Sequence, residues 1–301
     1  MKKNYRNPRS LAMDIIRGNW LLDNPHQFRD IARAFINGEL KGKDSVPETV
    51  LRDDCSVIDF AASVEHRLES MSSDASPAGG AEERSLVLVV PLHGTLTKYD
   101  SCLGVSTLEA AAILEEYALG DERIGAVVLD IDSPGGAGNA VAPMVAAIRK
   151  VQASGRPVLA HVDLCCSAAY WIACATDAIF ADNLTSSIGS IGVYRTVIYD
   201  RENKESGYRE IDVYAPESTD KNLAYREALE GKFDRMQGDL SEVVQMFIAA
   251  VREGRPDLKE EAGVLSGAVF SPGKAVDLGM IDGMADLDDC IEIAYARASL
   301  K

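Results

Sequence analysis

Long apolar runs, histidine and positive charge are what this chain is short of. No stretch of eighteen or more apolar residues occurs, so no segment is predicted to cross a bilayer as a helix. The basic opening MKKNYRNPRSLAMDIIRGNW has neither a continuous apolar core nor a small-residue cleavage site, and is not expected to act as a secretory signal. Its 31 basic residues face 47 acidic ones, a net charge of −16, which leaves no basic field to displace counterions from nucleic acid. The six cysteines, Cys55, Cys102, Cys165, Cys166, Cys174 and Cys290, contain no C-x-x-C pair. That usage suits a reducing compartment such as the cytoplasm, rather than a disulfide framework or a zinc site. No metal cluster or cofactor motif is apparent. What is present is a chain of 301 residues, 47% hydrophobic, with a mean hydropathy of −0.06. Such a chain is expected to be soluble and to bury a substantial core.

Two strand-to-helix junctions carry the chemistry. In the first, the apolar run IGAVVLDI (124–131) ends in Asp132-Ser133-Pro134-Gly135-Gly136 and gives way to helical spacing in AGNAVAPMVAAIRKV. The glycines match neither GxxxxGK[ST] nor GxGxxG, so a phosphate cradle is disfavoured. An oxyanion hole of backbone donors and a tight turn remain as readings. In the second, Pro157 to Val162 reads as a buried strand, and a run of small residues with Trp171-Ile172 reads as a buried helix. Ser167 falls between them. A hydroxyl there is a nucleophile candidate, although a helix N-cap is the commoner role for serine at such a place.

Taken together, Ser133-Pro134-Gly135-Gly136, then Ser167-Ala168-Ala169-Tyr170, then Ser187-Ile188-Gly189-Ser190-Ile191-Gly192-Val193, and near the end Gly279-Met280-Ile281-Asp282 resemble the S49 peptidases. That family holds the signal peptide peptidase A enzymes and phage capsid-assembly proteases. The resemblance spans roughly residues 85–295. It implies an α/β fold of the ClpP/crotonase type, a spiral of β-β-α units, and a serine endopeptidase acting on extended or unfolded protein segments through an acyl-enzyme. It further implies Ser167 as nucleophile, and a homo-oligomer, a tetramer or larger ring, with sites facing an enclosed space. Backbone N–H groups of Gly135 or Gly136 and of Ala168 are expected to form the oxyanion hole. The strand holding Gly189, Ser190, Ile191 and Gly192 is expected to pair with substrate, close packing against a neighbour being the alternative.

The serine needs a base. His26 and His66 lie in the leading segment, His93 and His161 on apolar strands where a structural imidazole is the expected role. The resemblance instead points to a Ser–Lys dyad with Lys221 as general base. Pro216 to Asp220 precede it, and adjacent acids oppose the neutral amine the chemistry needs. Cys165 and Cys166 beside Ser167 have no partner pattern of a cysteine protease.

Along the chain, residues 1–68 read as a helical N-terminal extension, 69–84 as a flexible Ser/Gly/Ala/Pro linker, and 85–301 as the peptidase domain. Expected elements are strands at 85–92, 178–182 and 187–199, helix 107–118, and an amphipathic helix over about 222–253 bearing Phe233, Met236, Leu240, Val243, Val244 and Phe247. The leading segment resembles those of phage-type members, suggesting capsid maturation, with a location in the host cytoplasm or virion. A crotonase-like enzyme using CoA, and a non-catalytic assembly protein of the same fold, are the competing readings.

Overall fold

The computed structural model describes residues 20–22, 86–99, 104–197 and 213–299. In chain order the strands are β1 (Trp20–Leu22), β2 (Leu86–His93), β3 (Thr95–Thr97), β4 (Gly104–Ser106), β5 (Ile124–Ser133), β6 (Gly135–Ala137), β7 (Val158–Cys166), β8 (Ala178–Ala181), β9 (Ser187–Gly189), β10 (Val269–Phe270) and β11 (Gly283–Met284). The helices are α1 (Thr107–Gly120), α2 (Val141–Ala153), α3 (Ala168–Ala173), α4 (Leu223–Leu229), α5 (Asp234–Gly254), α6 (Pro272–Asp277) and α7 (Leu287–Ser299). Strands alternate with helices in an α/β architecture.

The main sheet runs β10-β9-β7-β5-β2, with β8 also on β7 and β11 on β8. All of its pairings are parallel except β9 with β10. Parallel strands are covered on both faces, which is why β5 reads as unbroken apolar sequence rather than as an alternation. On one face Leu88, Val90, Leu129, Ile131 and Val162 pack under α1, α2 and α3. On the other Val87, Val89, Val128 and Leu159 meet Cys290, Ala294 and Ala298 of α7. A second, small sheet has the order β1-β6-β3-β4. Helix α1 starts where Ser106 accepts the Glu109 N–H at 3.2 Å, an S-x-x-E start signal.

Three expectations need correction. The strand expected over 187–199 ends at Gly189, because Ser190 takes a positive φ of 55° and leaves the extended path. The single helix expected over 222–253 is two, α4 and α5, divided where Gly231 turns at φ 82°. Within the leading segment expected to be helical, Trp20–Leu22 is a strand. The rest of that segment, with His26, His66 and Cys55, the linker, and Cys102 lie outside the described residues.

Candidate active site

The two junctions meet because of a bulge. β5 and β7 run in register up to Ile131↔Val162, then β7 takes one extra residue so that Ser133 pairs with Cys165. At that point β7 exchanges β8 for β9 as its neighbour. A bulge re-aims the residues beyond it, and here it brings the Ser133-Pro134-Gly135 turn beside the end of β7. Helix α3 packs against β6 just past both.

Ser167 links β7 to α3 with φ 57° and ψ −119°, and is 1% exposed. A non-glycine residue held there costs about 1–3 kcal/mol and persists only where its surroundings over-determine it. They do so here: its N–H donates to the Gly189 carbonyl at 2.8 Å, and its carbonyl accepts the Trp171 N–H at 2.9 Å. The hydroxyl does not cap the helix. Among the described residues its one contact as donor is the Gly192 carbonyl at 3.5 Å, the outer limit of a hydrogen bond. The capping role, the commoner expectation for such a serine, is therefore set aside by geometry.

The glycines divide by role. The Gly135 N–H already donates to Ser133 Oγ at 3.1 Å, a bond internal to the turn. Gly136 has no room for a side chain because the backbone of Leu96 on β3 lies against it. Ala168 follows the serine and is buried. Gly189 has φ 127°, and a Cβ there would meet the Ala268 carbonyl oxygen at 2.6 Å. The Ser190 N–H donates to that same carbonyl at 2.8 Å, and Ile191 is buried. Strand β9 has β7 on one edge and β10 on the other. Close packing thus accounts for Gly189 and Ser190, while Ile191 and Gly192 continue past the serine.

The structure gathers Ser167, Gly135, Gly136, Ala168 and Gly189 to Gly192, but not the expected base. Lys221 is exposed in the turn ahead of α4, and among the described residues no hydrogen bond joins it to Ser167. Neither described histidine takes its place. His161 Nδ1 lies 2.8 Å from Asp130 Oδ1 and its Nε2 3.1 Å from Asp182 Oδ1, so carboxylates hold both ring nitrogens. His93 Nε2 is 2.9 Å from Asp130 Oδ2. Burial works to raise the Asp130 pKa, yet hydrogen bonds from His161 and then His93 outweigh it and hold the carboxyl far below its usual range. Burial works to lower that of His161, and the bond and charge of Asp130, followed by those of Asp182, leave it raised. Burial pushes the Cys165 thiol well above its ordinary value and that of Cys174 up to about 12, so neither is a reactive thiolate.

Supports that composition did not single out lie behind the serine. Tyr170, on α3, is fully buried and its hydroxyl donates to the Met280 carbonyl at 2.9 Å. Asp282 accepts the Ile179 N–H at 2.8 Å and pairs with Arg255 at 2.7 Å. The Arg255 Nε also donates to the Gly279 carbonyl at 3.0 Å. Trp171 stacks on Phe247 of α5, ring centroids 4.7 Å apart. The signal for these was the Gly279-Met280-Ile281-Asp282 match, whose function as an anchor for α3 only the fold reveals.

A sequence model of Peptidase family S49 matches residues 144–301. The chain belongs to peptidase family S49. Protease 4 of Salmonella typhi is 30% identical to it, over 60% of this chain and 29% of that protein. A protein named Na(+)/H(+) antiporter NhaA from Brucella melitensis biotype 1 is 31% identical, over 69% of this chain and 29% of its own length. The chain thus spans less than a third of either relative. Among solved structures, a serine-to-alanine mutant of the 1510-N membrane-bound stomatin-specific protease aligns with 69% of this chain and 84% of that one, at 19% identity and a TM-score of 0.37. Among this chain's described residues no helix is long and apolar enough to cross a membrane.

Proposed function

We propose that this chain is a serine endopeptidase in which Ser167 attacks the scissile carbonyl of an extended protein segment. The observation that carries the reading is Ser167 itself. It is buried, held at a strained positive φ, and its hydroxyl is not used as a cap, at the point where two glycine-bearing turns converge. Strain kept at one polar residue beside potential backbone donors is the arrangement expected of a nucleophile.

In this mechanism Lys221, uncharged, accepts the Ser167 hydroxyl proton as Oγ bonds to the carbonyl carbon. The resulting oxyanion is met by the N–H groups of Gly136 and Ala168. Gly135 is the weaker candidate, since Ser133 Oγ takes its N–H. Losing one such donor typically costs about 2.7–4 kcal/mol of transition-state stabilisation. The carbon–nitrogen bond then breaks, the departing amine takes the proton from Lys221, and an ester on Ser167 remains. Water hydrolyses it with Lys221 again as base. Gly192, whose carbonyl lies 3.5 Å from Ser167 Oγ, and the neighbouring Ile191, Ser190 and Gly189 border the serine where substrate would lie.

A lysine acts as base only once it has lost its charge, and desolvation promotes that loss. Lys221 is exposed in the single chain. The dyad therefore requires a neighbouring copy to cover this turn, in keeping with a closed homo-oligomer. A role in phage capsid maturation, in the host cytoplasm or virion, is the finer part of the proposal and rests on the likeness of the leading segment to phage-type S49 members.

An active-site-directed fluorophosphonate tests the reading. Labelling of the wild-type protein that disappears in Ser167→Ala, together with loss of peptidase activity in Lys221→Ala at unchanged melting temperature, is expected. Labelling that survives Ser167→Ala overturns the nucleophile, and full activity of Lys221→Ala removes the base.

A further inference from the structure

The strand β6 lies between two partners. On one edge β3 runs parallel to it, Leu96 opposite Gly136. On the other β1 runs antiparallel, Trp20 opposite Ala137, Leu21 opposite Gly136 and Leu22 opposite Gly135. Without β1 this edge would present unpaired N–H and C=O groups, a template for any extended chain. The template sits at the candidate site: β6 follows Ser133 directly, Ser133 pairs with Cys165, and α3, opened by Ser167, packs against β6. What fills it comes from far away in sequence, since residues 23–85 separate β1 from β2.

We propose that Trp20–Leu22 of this same protein is a resident occupant of the β6 edge, paired where an extended chain would otherwise lie and so holding the site self-inhibited. This rests on the reading of Ser167 as nucleophile. Three features fit the role. The occupying run, Trp-Leu-Leu, is apolar and contains no glycine or proline, and Pro25 follows shortly after to end any longer ladder. Among the described residues the ladder has three residue pairs, short enough for a latch that can open. The occupant belongs to the same chain as the edge it fills, so it competes with substrate as an intramolecular ligand.

The experiment uses the full chain and the double variant Leu21→Pro/Leu22→Pro. Successive residues of a strand turn their N–H groups to opposite sides, so two adjacent prolines remove whichever donor faces β6. Leu11→Pro/Ala12→Pro, outside β1, controls for proline in the leading segment. Two readouts are followed: hydrogen exchange of the Gly135–Ala137 amides, and the rate at which a fluorophosphonate labels Ser167. In the Leu21/Leu22 variant, exchange at β6 is expected to rise and labelling to speed up by about threefold or more, as release of a tethered competitor demands. The control is expected to behave as wild type, and a peptide of residues 17–24 added in trans is expected to slow labelling of the variant again. Equal exchange and equal labelling in variant and wild type overturn the proposal. Faster exchange with no labelling in any protein instead overturns Ser167 as nucleophile and leaves the occupied edge standing.

Discussion

Ser167 holds a backbone at φ 57° and ψ −119° that side chains with a Cβ avoid and glycine does not. Two hydrogen bonds to its peptide groups, from Trp171 and to Gly189, keep it there. Replacing it with glycine should relieve the strain: Ser167→Gly is expected to melt higher by the equivalent of about 1 kcal/mol while losing all fluorophosphonate labelling, whereas Ser167→Ala loses labelling without that gain. Calorimetry on the pair decides it, because a serine with a merely structural role would lose stability in both. A second residue-scale effect concerns His161, faced by Asp130 and Asp182, with His93 on the far oxygen of Asp130 and Cys290 of α7 nearby. Its pKa is raised above the ordinary 6.5 in the folded state. The stabilisation is therefore fully present below that value and is lost as pH rises through the raised one. Asp130 and Asp182 are lowered, so their contributions fade only in acid. Between about pH 6 and pH 9 the melting temperature of the wild type is expected to fall more steeply than that of His161→Gln. Parallel profiles would refute the assignment. The strand-to-helix turn that holds Ser167 was legible from its neighbours in sequence, being a local feature. The surroundings of Lys221 were not, since whether a lysine is covered depends on distant parts of the fold and no local pattern encodes that.

Among the elements, α3 is too short to hold its own position and depends on what it touches. Tyr170 reaches the Met280 carbonyl and Trp171 stacks on Phe247, so the helix is pinned from two sides. Tyr170→Phe leaves a buried carbonyl without its donor and is expected to destabilise the fold by about 1–3 kcal/mol, read as a lower melting temperature. An unchanged melting temperature would mean that the hydroxyl bond anchors nothing. The strands β2, β5 and β7 were readable because both faces of a parallel sheet demand apolar residues, and α1 because Ser106 and Glu109 mark its start. The extension of β7 to Cys166 was not, since Asp163 interrupts the apolar run just where the bulge falls. The division between α4 and α5 was hidden by an apolar stripe that continues across Gly231. Met236 and Phe247 of that stripe are buried, but Phe233 is exposed.

For the whole molecule, the distribution of the site matters more than its parts. One chain supplies the serine, the glycine turns and the supports, and leaves Lys221 exposed. If a second copy must cover that turn, peptidase activity per chain should rise with protein concentration until the assembly is complete, and then become flat. Activity independent of concentration from well below to well above the assembly range, followed by analytical ultracentrifugation, would argue that a single chain suffices. The architecture of the peptidase part was evident from the order of its motifs, because each motif is a local turn whose spacing the fold preserves. The pairing of Trp20–Leu22 with Gly135–Ala137 was not, since three apolar residues in a polar segment carry no mark of the distant edge they join.

The imidazole of His161, clasped by two carboxylates on the α7 side of the sheet, has a consequence for how such a protein would be diagnosed in the laboratory. Buried and with both ring nitrogens engaged, it is a poor target for reagents that alkylate or acylate histidine, the customary way to unmask a hydrolase of the serine class, whereas the half-exposed ring of His93 is open to them. A silent outcome from that chemistry would report on the accessible imidazoles and leave His161 unread.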